Sequence, residues 1–298
     1  MADRPGDTAA TAASGRATMA SRALREHWPE YLMEALGLGL FMISACAFGT
    51  LLEHPASPAR HAVADPNARR ALMGGAMGLT AIGLIYSPWG RRSGAHMNPA
   101  VTLAFVRLGH VQRWDAVFYT LAQFAGGIAS VALMAGALGP RLAHPNVNFV
   151  VTHPGPRGPA LALVAELAIS FGLMTLVIFT TTRPRLMPWT GVFAGTLVAL
   201  WIAIEAPISG MSMNPARSFA TAAVAGQWAG WWVYFVGPPL GMLAAVEASR
   251  LSSRPRSGCA KLHHPADVRC IFCGQPGASS VPGTIPSLST LTPVNPGS

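Results

Sequence analysis

The sequence predicts an all-α membrane protein with six transmembrane helices and two re-entrant half-helices, arranged as an inverted repeat. Three observations predict this fold class. Hydrophobic residues make up 51% of the chain and charged residues only 11%, a charge content far below that of soluble domains. Six apolar stretches are each about long enough to cross a bilayer as a helix. One eight-residue motif occurs twice, once in each half of the chain.

The six predicted spans follow from long apolar runs, since roughly 20 apolar residues suffice to cross the hydrocarbon region. They are residues 31–52, 71–88, 114–138, 160–181, 188–206 and 228–246. Two shorter apolar pieces, 98–108 and 214–225, follow the second and fifth spans and are too short to cross. Three spans and one half-helix therefore make a unit that occurs twice. Because three is an odd number, the second unit enters the membrane from the opposite side.

The repeated motif reads Ser-Gly-Ala-His-Met-Asn-Pro-Ala at residues 93–100 and Ser-Gly-Met-Ser-Met-Asn-Pro-Ala at residues 209–216. Its last three positions are Asn98, Pro99 and Ala100 in the first copy and Asn214, Pro215 and Ala216 in the second. Asn is a favoured helix N-cap and Pro suits the first helical position. The motif therefore predicts that a short helix begins after each Gly-containing loop. Such loops are tolerated at membrane depth only where they are buried in protein or line a water-filled cavity.

In these residues the chain resembles the aquaporin (major intrinsic protein) family, over roughly residues 29–250. The resemblance implies a passive channel for water and small neutral solutes such as glycerol, without enzymatic activity, that excludes protons and ions. It also implies a homotetramer in the lipid membrane. A secondary transporter is the alternative, because inverted repeats with broken helices also serve alternating access. The net charge of +9 is spread at the ends of apolar runs, a pattern that reports topology rather than nucleic-acid binding.

The paired half-helices predict how protons are excluded. Their N-termini carry partial positive charge, and two of them facing each other near the bilayer centre repel cations. The amides of Asn98 and Asn214 can both donate to one passing water oxygen. That water cannot relay a proton along the file.

A selectivity filter is carried over from the family pattern by position. Arg217, three residues after the second Asn, matches the filter arginine, and Met211 and Ile202 occupy positions where water-selective members carry a small residue and His. The filter residue in the second span is found by counting back from Asn98. It is Gly78 if no residue is inserted, and Met77 if one residue is inserted within residues 87–92. The ring is therefore expected to be more apolar than in water-selective members.

Three further residues are expected to hold the re-entrant loops. Glu34 and Glu166 lie at matching places in the first span of each repeat, where a carboxylate is functional or paired by default. We expect each to accept hydrogen bonds from loop N–H groups; a proton relay is the alternative. His96 is expected to pin the first loop, with pH gating as the other interpretation.

The two ends of the chain are expected to be cytoplasmic tails of a multi-pass protein in a bacterial inner or plasma membrane. Residues 1–28 are predicted to be disordered, 29–250 to form the channel domain (repeat one about 29–138, repeat two about 159–250), and 251–298 to form the C-terminal tail. The family resemblance implies that transport requires no cofactor. Within 259–273, four soft ligands match structural zinc spacing loosely: Cys259, His263, Cys270 and Cys273.

Overall fold

A computed structural model describes residues 5–251 and 258–276, with side chains from residue 18 onward, and these residues contain helices and no β-strand. In chain order the helices are α1 (Pro5–Glu53), α2 (Pro58–Ala62), α3 (Pro66–Tyr86), α4 (Pro88–Ser93), α5 (Pro99–Arg107), α6 (Arg113–Leu138), α7 (Pro140–Ala143), α8 (Pro159–Thr181), α9 (Thr190–Ile204), α10 (Ala206–Ser209), α11 (Pro215–Ala225) and α12 (Trp232–Arg250). The fold class of six spans and two half-helices is confirmed.

The six spans differ in length and mean hydropathy. Within the described residues, four helical stretches are long and apolar enough to cross a membrane: Thr18–Glu53, Arg113–Leu138, Pro159–Thr181 and Met187–Ile204. The other two predicted spans form α3 and α12, which are 21 and 19 residues long. Their ends carry charges, Arg69 and Arg70 in α3 and Glu247 and Arg250 in α12, so their average hydropathy is lower.

The half-helices α5 and α11 begin where the repeated motif predicts. Asn98 and Asn214 are their N-caps, in extended conformation, and each is followed by Pro at the first helical position. Each cap oxygen accepts a backbone N–H of the first turn, which satisfies a donor that the helix leaves free. Helix α11 ends at Ala225 and is capped by Gly226, whose φ of 68° is readily adopted by glycine.

The two repeats pack in matching ways. Helix α1 packs against α6, α8 packs against α12, and α3 packs against α9 across the repeats. A Cβ atom on Gly126 would lie 2.1 Å from the Ala35 carbonyl oxygen, and one on Gly241 would lie 2.4 Å from that of Leu167. Glycine is therefore what allows the close approach within each pair. Each half-helix also contacts the third span of the other repeat, α5 on α12 and α11 on α6.

The N-terminal boundary differs from the expectation. Residues 1–28 were expected to be disordered, but α1 extends back from the first span to Pro5, while residues 1–4 lie outside the described part of the chain. At residues 18–28 the reason is a contact with α6. His27 Nδ1 lies 2.7 Å from Asp115 Oδ1, and the Tyr31 hydroxyl donates to the same oxygen at 2.7 Å. The tertiary contact extends a helix that hydropathy alone would end at residue 31.

The C-terminal tail is described at residues 258–276, and it packs against the end of the bundle where α3 ends and α4 lies. Ala260, Lys261, Leu262 and Cys270 are buried there. The Pro-, Gly- and Ser-rich residues 275–298 are expected from their composition to be disordered, and residues 277–298 lie outside the described part of the chain.

Candidate functional site

Two asparagine side chains join the re-entrant loops at the centre of the molecule. Asn98 Nδ2 donates to the Met213 carbonyl oxygen at 2.7 Å, and Asn214 Nδ2 donates to the Met97 carbonyl oxygen at 2.7 Å. Their Oδ1 atoms accept from Ala100 N at 2.9 Å and from Ala216 N at 3.1 Å. A side-chain amide has two N–H groups, so each asparagine keeps one further donor. Both asparagines line the same cavity.

The carboxylates of Glu34 and Glu166 accept hydrogen bonds from the loops that precede these asparagines. Glu166 Oε1 accepts from Ser209 Oγ and Ser212 N, both at 2.7 Å, and Oε2 accepts from Met213 N at 2.8 Å. Both carboxylates are fully buried.

Glu34 makes the equivalent contacts in the first repeat. Its Oε1 accepts from Ser93 Oγ at 2.7 Å and from His96 N at 3.0 Å, and its Oε2 accepts from Met97 N. The loops thus obtain acceptors for N–H groups that have no helical partner.

These hydrogen bonds hold an uncommon backbone conformation. Ala95, Met97, Met211 and Met213 have φ values of 56°, 48°, 50° and 53°, in the left-handed region that costs non-glycine residues roughly 1–2 kcal/mol each. Hydrogen bonds to a charged group contribute about 1.5–3 kcal/mol each. The charged acceptors therefore offset the strain in the loops.

Three residues of this network were not predicted from the sequence. The Tyr119 hydroxyl donates to the Ser93 carbonyl oxygen at 2.7 Å, and the Tyr234 hydroxyl donates to that of Ser209. Gln123 Nε2 donates to Glu34 Oε2 at 2.8 Å. The two tyrosines follow the motif serines by 26 and 25 residues, and this near-equal spacing is the signal that could have identified them.

A cavity of about 410 Å³ passes the two asparagines and has different chemistry at its two ends. On the side of the α1–α3 connection it is lined by the polar residues Glu53, Arg69, Arg70 and Asn146. On the side of the chain termini its lining is mostly apolar, and includes Ile85, Ala95, Leu173, Val177 and Leu262.

The residues expected to form the filter meet in this cavity, with one correction. Ile202, Met211 and Arg217 line it together with Met77, whereas Gly78 does not. A Cβ atom on Gly78 would lie 2.5 Å from the Gly195 carbonyl oxygen, so this glycine faces α9. Neighbouring residues of an α-helix point about 100° apart, and the one-residue alternative, Met77, is the one that lines the cavity.

Arg217 is the charged residue of this set. Its backbone N–H donates to Asn214 Oδ1 at 3.2 Å. Its Nη1 atom is buried and has no hydrogen-bond partner among the residues that the structure describes. This donor is therefore available to a molecule inside the cavity.

His96 lies between the first loop and the C-terminal tail. Its Nδ1 is 3.1 Å from Thr102 Oγ1, and its Nε2 donates to the Ala260 carbonyl oxygen at 2.7 Å. The ring stacks on Phe105, with centroids 4.9 Å apart, and on Phe272, at 5.6 Å. It is 4% exposed, so His96 connects two segments and does not face bulk water.

The tail holds a cluster of possible metal ligands, which corrects one expected residue. The ligand atoms of Cys259, His264, Cys270 and Cys273 all lie within 4.8 Å of one another. His263 is not among them, because its ring packs against Tyr86 with centroids 4.9 Å apart.

The closeness of two thiols also suits the cluster to a metal ion. Cys259 Sγ lies 3.3 Å from Cys270 Sγ, and this hydrogen bond lowers the pKa of the Cys270 thiol while it raises that of Cys259. Thiolates are the form in which cysteine binds metals. The cluster could therefore hold a metal ion.

Comparisons with known proteins agree with this geometry. The sequence profile of the major intrinsic protein family matches residues 21–248. The chain is 32% identical to aquaporin NIP2-3 of Zea mays over 244 residues, which covers 81% of this chain and 77% of the maize protein. It is 33% identical to aquaporin NIP2-2 of Zea mays over 213 residues, 70% of each chain. Among solved structures, the aquaglyceroporin from Plasmodium falciparum superposes with a TM-score of 0.60 at 18% identity, over 74% of this chain and 95% of that one.

Proposed function

Because the chain belongs to the major intrinsic protein family, we infer that the cavity past Asn98 and Asn214 is its conduction pathway. The protein is a passive channel for water and small neutral solutes, and it is not an enzyme. The observation that carries the assignment of the pathway is the pair of crossed asparagine amides, both at one cavity that reaches from a polar mouth to an apolar one.

Proton and ion exclusion is the first finer proposal. Helices α5 and α11 point their N-termini, which carry partial positive charge, at the same region of the cavity. The remaining amide donors of Asn98 and Asn214 orient a passing water by its oxygen. Arg217, with a free buried donor, adds a full positive charge nearby. Cations are repelled, and a water held as an acceptor interrupts proton hopping.

The composition of the filter supports passage of glycerol as well as water. Met77, Ile202 and Met211 supply apolar surface and Arg217 supplies the hydrogen-bond donors. A solute with several unmatched polar groups loses water contacts there, and each unmade hydrogen bond costs about 1–3 kcal/mol. Solutes with carbon-bound hydrogens along one side are therefore favoured over urea.

Glu34 and Glu166, the acids in the first span of each repeat, do not supply the coupling-ion site that a secondary transporter would need. A coupling-ion site would need a carboxylate with free coordination positions. Glu34 and Glu166 instead accept four and three hydrogen bonds from serines, loop amides and Gln123. Both are committed to the loops.

The experiment is an osmotic shift applied to proteoliposomes without an ion gradient. We expect them to shrink faster than empty vesicles, and to take up glycerol faster than urea. Flux that appears only with an imposed proton or sodium gradient would contradict the channel. A protein that conducts water but excludes glycerol would contradict the filter argument alone.

The protein is an integral multi-pass membrane protein, and its assembly and orientation are further proposals. Large apolar side chains such as Leu79, Leu133 and Ile204 are exposed on the outer surface of the bundle, which suits contact with lipid or with other subunits of a homotetramer. Arginines at the ends of the spans favour cytoplasmic termini. The relatives described above are plant and Plasmodium proteins, and they give no support to a bacterial inner membrane.

We also infer that the metal of the tail is zinc, held by Cys259, His264, Cys270 and Cys273. Three Cys and one His are a common structural zinc set, and tetrahedral Zn–S and Zn–N bonds would place the ligand atoms roughly 3.5–3.8 Å apart. The test is the metal content of the purified protein. One zinc per chain is expected in the wild type, and none in Cys270→Ser/Cys273→Ser.

A further inference from the structure

The C-terminal tail is docked on the mouth of the cavity as well as folded on itself. Leu262 N donates to the Gly94 carbonyl oxygen at 3.1 Å, and the Ala260 carbonyl oxygen accepts from His96 at 2.7 Å. Gly94 and His96 belong to the first re-entrant loop. The tail therefore bonds directly to the segment that leads to Asn98.

Side chains strengthen the same contact. Lys261 is 1% exposed, and its Nζ donates to the carbonyl oxygens of Arg91 at 3.0 Å and Arg269 at 2.9 Å. Phe272 stacks on His96 with the two rings 7° from parallel. These residues flank or lie between the metal-ligand cysteines, so the cluster and the contact are one structural unit.

Leu262 brings the tail into the cavity wall. It is 7% exposed and lines the cavity beside Ile85 and Val177. An apolar constriction can stop water by dewetting. The lining of the opposite mouth includes the charged residues Glu53, Arg69 and Arg70.

On the opposite side of the molecule, a different segment covers the second motif in the way that the tail covers the first. There, the segment between α7 and α8 lies across the second motif: Gly155 N donates to the Ile208 carbonyl oxygen at 2.9 Å, and a Cβ atom on Gly210 would lie 3.1 Å from His153 N. On the tail side, a Cβ atom on Gly94 would lie 2.7 Å from the Ala260 carbonyl oxygen. The two glycines are equivalent in the repeat. The α7–α8 segment is tied to spans at both ends, whereas the tail follows α12, the last of the six spans.

We propose that residues 258–275 form a metal-stabilised cap on this mouth of the channel, closed when Cys259, His264, Cys270 and Cys273 hold a zinc ion and released when the ion is lost. The proposal rests on the channel function inferred above. A segment of this size has little core of its own, and metal binding supplies the folding free energy of such small units. Loss of the ion should therefore free Leu262 from the mouth.

The test compares water permeability of full-length protein in proteoliposomes, with zinc present and after treatment with a membrane-permeant zinc chelator. A phosphine reductant is kept throughout, since Cys259 and Cys270 are close enough in the structure to be oxidised together. We expect permeability to rise severalfold on chelation and to fall again when Zn²⁺ is restored.

Three variants separate the cap from other effects. Cys270→Ser/Cys273→Ser should be permeable from the start and indifferent to the chelator. Leu262→Ala should keep one zinc per chain and yet conduct faster before chelation, which a merely structural metal site would not cause. Cys46→Ala is the matched control, because Cys46 is buried among the spans, and it should respond like the wild type.

Two results would overturn the cap. One is a protein that binds one zinc per chain and conducts equally with and without it. The other is a wild type that binds no zinc. If neither the wild type nor Cys270→Ser/Cys273→Ser conducted water, with zinc or after chelation, the proposed function would be contradicted instead.

Discussion

Replacing Glu166 by Gln tests whether a buried carboxylate holds the second re-entrant loop. Glutamine can keep one oxygen for Ser209 Oγ and Ser212 N, but its NH₂ group would then face Met213 N, which lies 2.8 Å from Oε2 of the glutamate. One charge-assisted hydrogen bond is lost and one buried N–H is left without an acceptor. Such losses cost about 2–5 kcal/mol in total, enough to release a loop whose backbone is already strained at Met211 and Met213.

The assay pairs thermal stability in detergent with water permeability per protein in vesicles. Glu166→Gln should lower both the melting temperature and the flux. Glu205→Gln is the matched control: Glu205 is also buried, but neither of its carboxylate oxygens has a hydrogen-bond partner among the described residues, so neutralising it should leave stability unchanged or raise it. If Glu166→Gln were as stable and permeable as the wild type, the loop-anchoring role would be refuted. Equal losses in both variants would show that removal of a buried charge, and not release of the loop, causes the effect.

Three other substitutions probe the conduction pathway and the packing. Arg217→Val should leave water flux largely intact and admit protons or small cations, measured with a pH-sensitive dye inside the vesicles, because it removes the filter charge; unchanged exclusion would assign the barrier to the half-helices. Ile202→His should lower glycerol permeability while retaining water flux, measured in the same vesicles; a higher glycerol flux would contradict the apolar filter. Gly78→Ala should destabilise the protein by about 1–3 kcal/mol through overpacking, because its Cβ would meet the Gly195 carbonyl oxygen, whereas Gly75→Ala, with open space at its Cβ, should melt like the wild type.

The architecture could be predicted because its causes are local. Apolar length determines the spans, and the Asn-Pro pair determines where α5 and α11 begin. The repeat also puts Glu34 and Glu166 at matching positions along the chain, which is enough to expect the same role for both. No comparable local signal exists for residues 18–28, whose helix depends on a contact with Asp115 in α6.

The finer site could not be predicted because it depends on rotation and on distant contacts. Gly78 and Met77 differ by one step of a helix, and only the packing of Gly78 on α9 decides which of them faces the cavity. His263 and His264 are adjacent in sequence, and the contact with Tyr86 removes the first from the metal cluster. The docking of Leu262 on Gly94 joins residues that no spacing rule connects.

The crossed asparagine bonds also have a consequence for biosynthesis. Asn98 donates to Met213, which the ribosome adds 115 residues later. At roughly 5–20 residues per second, the first half-helix waits about 6–23 s after its own synthesis before its acceptor exists. During that interval the first loop can be held by Glu34, Tyr119 and Gln123, all within the first repeat. Completion of the conduction pathway is thus one of the last folding events, and a chain truncated just before residue 213 would contain five spans without a finished pore.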